Sequence, residues 1–337
     1  MNKKVIAFVG AAHIHTPGFI NTINNAYPDT IAVKYVYDHD IARAEKRAAE
    51  LDGAAATAEL AAVVNDPDVC AVIVCAETNR HEELVLPLAA AKKHLFVEKP
   101  IGIAARDARA IADAVESAGV LFQTGYFRRG DAKMQFLKQS VADGAFGTVT
   151  RARGVNCHGA ALGGWFDTEW QWMTDMEQSG GGGFADLGTH LLDILLWIFG
   201  DVESATAILS HGTNRYGCDE WGEGLIQFKS GVVGTLAAGW NDIANPVELE
   251  ICGTEGHAIL FNGQLYLTGA AFGGADGRKP FTGVGAGTPS GLDAFLDAVL
   301  AGSGSAGLVG AREAAYRSAV MEALYKGAAS RGLVPVE

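Results

Sequence analysis

Val5-Ile6-Ala7-Phe8-Val9-Gly10-Ala11-Ala12-His13-Ile14-His15 is the stretch on which the fold turns. An unbroken apolar run ends at a glycine. Such a run fits a strand buried on both faces, as in a parallel sheet covered by helices. The same alternation continues outward. Ile31 to Tyr37 is rich in β-branched and aromatic residues and ends at Asp38, and Ile41 to Leu51 is a good helix. Val69 to Cys75 repeats the buried-strand pattern. Helix-like Glu82 to Lys93, strand-like His94 to Val97, helix-like Ala104 to Ala118 and strand-like Val120 to Thr124 follow. Continuous apolar strands alternating with helices predict a doubly wound parallel sheet.

Beyond about residue 123 the pattern changes. Ala132 to Ala142 reads as helix. The segments 148–155, 204–210, 222–229, 232–240 and 247–252 read as strands, with turn signals such as Lys229-Ser230-Gly231 between them. One strong helix, Phe184 to Phe199, interrupts them, and the tail segments 291–300 and 311–326 are helical. The expected fold is an α/β Rossmann-type dinucleotide-binding domain over residues 1–122. An α+β domain with a large, mostly antiparallel open sheet follows over residues 123–337. The terminal helices are free to pack back on the first domain. There is no internal repeat.

Bulk properties narrow the function. In 337 residues, 49% are hydrophobic and 19% charged, an ordinary globular composition. A formal charge of −13 disfavours nucleic acid and anionic membrane as partners. The five cysteines, Cys70, Cys75, Cys157, Cys218 and Cys252, form no Cys-x-x-Cys pair, so neither a disulfide framework nor structural zinc is expected. The longest apolar candidate, Leu191 to Phe199, is interrupted by Asp193 and falls short of a membrane span. Met1-Asn2-Lys3-Lys4 runs straight into the first strand with no signal-peptide pattern. These features imply a cytoplasmic protein whose partner is a small molecule.

A dinucleotide-binding turn carries Gly-x-Gly-x-x-Gly, so that the backbone approaches the pyrophosphate and a helix N-terminus faces it. Here only Gly10 keeps its glycine; Ala12 and His15 stand at the other two places. Asp38, at the end of the second strand, can accept hydrogen bonds from the adenosine ribose and repel a 2′-phosphate. His39-Asp40 adds no arginine to neutralise one, so NAD is favoured over NADP. The alternative for Asp38 is an N-cap of the helix that follows. His13 and His15 also suit a metal-dependent hydrolase built on a barrel. That reading needs further ligands, and His81, His94, Asp186 and His190 do not recur as strand-end ligands, so no metal is expected.

Val97-Glu98-Lys99-Pro100 places a lysine at a strand's C-terminal end, where ligands bind in open α/β sheets. Its ammonium can bind a substrate oxygen and stabilise developing negative charge. Further on, Gly180-Gly181-Gly182-Gly183-Phe184-Ala185-Asp186-Leu187-Gly188-Thr189-His190 sets Asp186 and His190 four apart on one helix face. A carboxylate orienting an imidazole would make a general base for a hydroxyl, and the glycines would leave room for cofactor or substrate. Leu191 to Leu196 bury the rest of the helix.

Together these motifs resemble the glucose–fructose oxidoreductase/inositol dehydrogenase family, Gfo/Idh/MocA. The resemblance also runs through Asp66-Pro67-Asp68-Val69, Asn79-Arg80-His81, Gly125-Tyr126-Phe127-Arg128-Arg129 and Cys252-Gly253-Thr254-Glu255-Gly256. It implies an NAD(P)-dependent dehydrogenase or reductase acting on a sugar, polyol or related hydroxy compound. Lys99, Asp186 and His190 would be catalytic. Gly10, Ala12, His13, His15, Asp38, Glu77, Thr78, Asn79, His81, Glu98 and Lys99 would bind the cofactor. Tyr126, Arg128, His158 and Trp165 would join the catalytic residues at the substrate. A homodimer or homotetramer through the second sheet is implied as well. A non-catalytic NAD(P)-binding regulator of the same fold is the alternative; such a protein tolerates loss of the lysine or histidine, and here both stand. Three features depart from the family pattern: the turn at Gly10, Glu77 where proline is common, and the loop 158–176 with Trp165, Trp170 and Trp172.

Overall fold

A computed structural model describes residues 3–336, apart from 303, 305 and 306. The first sheet is made of β1 (Lys4–Val9), β2 (Ile31–Tyr37), β3 (Ala55–Thr57), β4 (Val69–Val74), β5 (His94–Val97) and β6 (Phe122–Thr124). Its order is β3-β2-β1-β4-β5-β6, and all neighbours run parallel. The strand order reverses between β1 and β4, so a crevice opens at their C-terminal ends, the place where such sheets bind ligands. The helices around this sheet are α1 (Thr16–Ala26), α2 (Ile41–Ala48), α3 (Leu60–Val64), α4 (His81–Ala90) and α5 (Ala105–Ala118). β6 belongs to this sheet, so a division at 122/123 falls inside the strand.

The second domain begins with α6 (Ala132–Ala142) and β7 (Val149–Cys157). A loop with the short α7 (Ala160–Gly163) and α8 (Met176–Ser179) leads into α9 (Gly183–Phe199). β8 (Val202–Ser210), β9 (Trp221–Phe228), β10 (Val233–Gly239), β11 (Val247–Gly253), β12 (Gly256–Phe261), β13 (Gln264–Gly269) and β14 (Ala275–Asp276) follow. With β15 (Val334–Pro335) they form a nine-stranded sheet, β14-β13-β12-β11-β7-β10-β9-β8-β15. Only β7 and β10 pair in parallel. Asn262 and Gly263, both with positive φ, turn the β12–β13 hairpin.

α9 lies on one face of this sheet. Phe184, Leu187, Leu191, Leu192 and Leu195 enter its core, and Gly154, Gly188, Gly222 and Gly224 let helix and strands approach. The segment Met176–Phe199 is long and apolar enough to cross a membrane by composition, but 83% of its apolar window is buried in this core. α10 (Gly291–Ala301) returns to the first domain, where Leu292, Phe295, Leu296 and Val299 join the core beneath α1. α11 (Ala311–Ser330) packs on α5, α9 and β8, tying the two domains together. The C-terminal ends of β1, β4 and β5 therefore face the N-terminal end of α9.

Candidate active site

Lys99 leaves β5 and points at α9. Its Nζ donates to Asp186 Oδ1 at 2.7 Å and to the Asp186 carbonyl at 3.2 Å. The lysine side chain is 2% exposed and the aspartate's 16%, so the pair is shielded from water. Trp240, just past β10, donates its Nε1 to Asp186 Oδ2 at 3.0 Å. Burial pushes the Asp186 carboxyl up, but the Lys99 charge and the bonds from Lys99 and Trp240 outweigh it and hold Asp186 ionised.

This differs from the expected division of roles. Both Asp186 oxygens are taken by Lys99 and Trp240, and no hydrogen bond joins Asp186 to His190 among the described residues. Helical spacing brings the two onto one face, yet the domain interface supplies a stronger partner for the carboxylate. His190 is 5% exposed, and its Nδ1 has no partner. Burial first, then the Lys99 charge, hold its pKa well below 6.5, so the imidazole is neutral. Phe127 packs on it at 5.1 Å between ring centroids, and Tyr126 meets it edge-on at 6.4 Å.

Within the glycine run Gly181 lines the chamber beside Lys99 and Asp186, while Gly182 and Gly183 let backbone meet backbone. A Cβ on Gly182 would lie 2.0 Å from the Asp219 carbonyl oxygen, and one on Gly183 2.5 Å from that of Glu220. Asp219 Oδ1 accepts from Gly182 N and from the Tyr325 hydroxyl, and its Oδ2 accepts from Phe184 N at 3.0 Å. A side chain from the approach to β9 thus caps α9 and fixes where Asp186 and His190 stand.

On the cofactor side, Gly10 has φ +79°, and a Cβ there would strike Ala76 at 2.5 Å, so the segments just beyond β1 and β4 pass this closely because residue 10 is glycine. The first turn of α1 holds no acidic residue and its N-cap makes no side-chain bond, leaving its positive end open to an anion. Asp38 does not cap α2; Asp40 does. Instead Asp38 accepts from Ala11 N, Asp40 N and Arg43, and Arg43 also reaches Glu77 Oε1 at 2.8 Å. Nothing in the sequence pattern singles out Arg43. One turn into α2 folds it back over the end of β2. Glu77 Oε2 is buried and has no donor. A glycine-tight turn, an uncapped helix N-terminus and an orphaned acceptor at the end of β4 fit a dinucleotide.

The remaining expected residues divide. His13, Thr78, Lys99 and Asp186 line one small chamber with Trp172 and Met173. His13 is buried, and burial lowers its pKa to about 3. Glu98 is fully buried; Oε1 meets His15 Nδ1 at 3.1 Å and Oε2 accepts from Lys99 N at 2.8 Å. His13, His15 and Glu98 therefore cluster, but on an open parallel sheet. The barrel hydrolase reading fails on the fold. His81 lies beneath the loop, its Nε2 at 3.3 Å from the Ala76 carbonyl, and props the crevice rather than lining it. Tyr126 is likewise a core residue, its hydroxyl bonded to Thr189 Oγ1 at 2.9 Å. Asn79 is exposed at the end of the same loop. Arg128 is held by Glu248 and Asn156 beside His190. His158 and Trp165 stack at 5.1 Å, with His158 close enough to feel Asp186 and Lys99.

The tryptophan-rich loop forms a strap over the first domain. Trp172 Nε1 donates to the Ala12 carbonyl at 3.0 Å. Glu169 pairs with Lys46 and Arg47 on α2, and α8 packs on residues 78–80.

Comparison with known proteins agrees with this architecture. Residues 4–126 match the family described as "Oxidoreductase family, NAD-binding Rossmann fold", and residues 134–259 match the "GFO/IDH/MocA C-terminal domain". A levoglucosan dehydrogenase from Pseudarthrobacter phenanthrenivorans is 25% identical over 61% of this chain and 58% of its own length. A 1,5-anhydro-D-fructose reductase from Ensifer adhaerens is 29% identical over 58% of each chain. For a myo-inositol 2-dehydrogenase from Thermotoga maritima the figures are 31%, 52% of this chain and 51% of that one. These matches span just over half of the relatives' lengths. Among solved structures, levoglucosan dehydrogenase with NADH and levoglucosan superposes with a TM-score of 0.77 at 20% identity, covering 99% of this chain and 100% of that one. The WlbA dehydrogenase from Bordetella pertussis, with NADH and UDP-GlcNAcA, gives 0.81 at 20% identity over 100% and 99%. At such identities the likeness is one of fold.

Proposed function

The chain belongs to the GFO/IDH/MocA oxidoreductase family, and from that premise we propose that it moves a hydride between NAD and a hydroxyl-bearing carbon of a sugar, polyol or related compound. The observation that carries the reading is the Lys99–Asp186 pair, shielded between the two domains with a neutral His190 one helical turn away. NAD, when bound, accepts or returns the hydride at its nicotinamide ring. Gly10, the N-terminus of α1, Glu77 and Thr78 would hold it along the crevice. Lys99, pinned by Asp186, presents its ammonium to the substrate oxygen and stabilises negative charge there. His190, uncharged, takes the hydroxyl proton in oxidation and returns it in reduction. Asp186 positions Lys99. His158 and Trp165 are the candidate walls for the substrate's far side, and Arg128 sets the charge beside His190.

The sequences of the relatives named above, a levoglucosan dehydrogenase and an inositol dehydrogenase among them, favour a carbohydrate-like substrate. NAD rather than NADP is the expected cofactor, because two buried carboxylates, Asp38 and Glu77, share a single guanidinium at the ribose end. Five free cysteines support a reducing, cytoplasmic setting. The outer face of the second sheet keeps Ile208, Leu225 and Val233 exposed at 74%, 41% and 45%, which supports a homodimer or homotetramer through that face. Fluorescence titration with NADH and NADPH, followed by a turnover screen over sugars and polyols, tests the reading. Tighter NADH binding and turnover of a polyhydroxy substrate are expected. NADPH binding as tightly or more tightly overturns the cofactor assignment, and binding of neither overturns the function.

A further inference from the structure

We propose that Glu77, not Asp38, reads the 2′ position of the cofactor's adenosine ribose; this rests on the NAD-binding reading above. An ionised carboxylate offers about four acceptor sites. Those of Asp38 are filled from within the chain. Oδ2 accepts from Ala11 N at 2.8 Å and from Arg43 Nε at 2.9 Å. Oδ1 accepts from Asp40 N at 2.9 Å and from Arg43 Nη2 at 2.8 Å, with His39 Nδ1 at 3.2 Å. The side chain is 1% exposed. A ribose hydroxyl has to displace one of these donors to reach it. Asp38 therefore acts on the protein itself: it fastens the β1–α1 turn through Ala11 and aims Arg43.

Glu77 is also buried, but its carboxylate is not satisfied. It follows β4 on the other side of β1, so Asp38 and Glu77 flank the turn at Gly10 and Arg43 spans them. Its Oε1 accepts from Arg43 Nη2 at 2.8 Å, while Oε2 is buried without any donor. Buried charged acceptors are nearly always satisfied, and a ligand hydroxyl is a fitting donor. A 2′-hydroxyl can donate to Oε2; a 2′-phosphate would meet a carboxylate there. Glu77 also restrains Arg43, a residue whose fork geometry suits phosphate. Removing the Glu77 charge therefore lifts a repulsion and releases one N–H of Arg43 Nη2, while Asp38 keeps the guanidinium in place. Because α8 packs on residues 78–80, ligand entry at Glu77 also involves the strap.

The test is equilibrium binding of NADH and NADPH to the full-length protein, read by nucleotide fluorescence, for the wild type, Glu77→Gln, Glu77→Ala and Asp38→Asn. Thermal melts identify any variant that does not fold. Both Glu77 variants are expected to move the NADPH:NADH affinity ratio at least ~10-fold toward NADPH. Asp38→Asn, whose amide oxygen can still accept from Arg43 and whose partners lie within the chain, is expected to weaken both nucleotides together and to move the ratio at least about 3-fold less than the Glu77 variants do. If NADH binds the wild type and neither folded Glu77 variant moves the ratio, the inference is overturned while the NAD reading stands; a water then satisfies Oε2. A ratio shift in Asp38→Asn alone also overturns it. If the wild type binds neither nucleotide, the NAD reading falls and takes this one with it.

Discussion

Replacing Lys99 with methionine removes the ammonium and keeps most of the side-chain volume. It leaves the Asp186 carboxylate shielded from water with one donor, Trp240 Nε1 at 3.0 Å. Breaking a buried ion pair by deleting one partner costs about 3–5 kcal/mol. The low exposure of both side chains calls for no discount for solvent screening. With an unfolding entropy of about 2.1 cal/mol/K per residue, a chain of 337 residues loses roughly 4–7 °C of melting temperature for that cost. Asp186→Asn added to Lys99→Met removes the orphaned charge and keeps an acceptor for Trp240. The double variant should recover most of the lost stability, since replacing both partners leaves no unpaired charge. Turnover behaves differently. Lys99→Met should lose at least ~10²-fold in kcat, as expected for a preorganised donor to the reacting oxygen, and the double variant should stay as slow. Calorimetric melts and steady-state kinetics on the screened substrate read the two effects separately. Stability recovered without activity is the signature of a pair that both holds the interface and performs the chemistry. A single variant melting within about 1 °C of wild type would refute the buried pair. Near-normal turnover would remove Lys99 from the mechanism.

Burial lowers the pKa values of His13, to about 3, and of His81 and His190. Below pH 6.5 the unfolded chain binds protons at these residues that the native state refuses, so stability falls as pH falls, by about 1.4 kcal/mol per pH unit for a group such as His13. Urea midpoints should be level from pH 8 to 7 and decline from about 6.5, before ordinary carboxylates titrate; a level profile down to pH 5 would contradict neutral buried imidazoles. Glu169→Ala releases the strap from Lys46 and Arg47. The melting temperature should move by no more than about 1–2 °C, because that pair is partly exposed, while stopped-flow fluorescence should show faster NADH release; an unchanged rate would separate the strap from cofactor entry. Asp219→Ala strips two backbone bonds from the N-terminus of α9. It should cost about 1–2 kcal/mol and lower kcat more than it weakens NADH binding. Unchanged kcat would show that other contacts place α9.

Much of the first domain is legible because Val5–Val9 and β4 are continuous apolar runs, β2 is rich in β-branched and aromatic residues, and helices alternate with them, a pattern that fits a sheet covered on both faces. α1 is harder to read: Pro17, Gly18, Asn21, Asn24 and Asn25 are poor helix formers, and only the packing of Thr16, Ile20 and Ile23 against the sheet settles it. The β12–β13 hairpin escapes a reading by apolar runs, although Asn262-Gly263 is a strong hairpin signal. At the site, residue types and order identify Lys99, Asp186 and His190. Their partners are another matter. Trp240, Asp219 and Arg43 reach Asp186, α9 and Asp38 from other elements, and nothing in local spacing announces a contact made between distant segments of one domain or around a helix turn.

Those unannounced contacts change what the site residues do. A helix alone would let Asp186 serve His190, since four residues is one turn. Lys99 arrives from β5 with a full charge and takes that carboxylate, and Trp240 takes its other oxygen. His190 is then left with no protein partner for Nδ1, under the field of an ammonium, in a buried setting. Each of these disfavours the imidazolium. A neutral base beside a charged donor suits a substrate hydroxyl whose oxygen faces Lys99 while its proton faces His190. The lysine thus lowers the affinity of His190 for a proton in the resting site and stabilises the oxygen once that proton has moved. Asp186 fixes Lys99, its own charge partly offsetting the lysine's effect on His190, and the glycine-tight, Asp219-capped start of α9 fixes Asp186. The arrangement depends less on any one residue than on the meeting of β5 with α9, which is why the glycines at 182 and 183, with no side chains to offer, belong to the same site as the lysine.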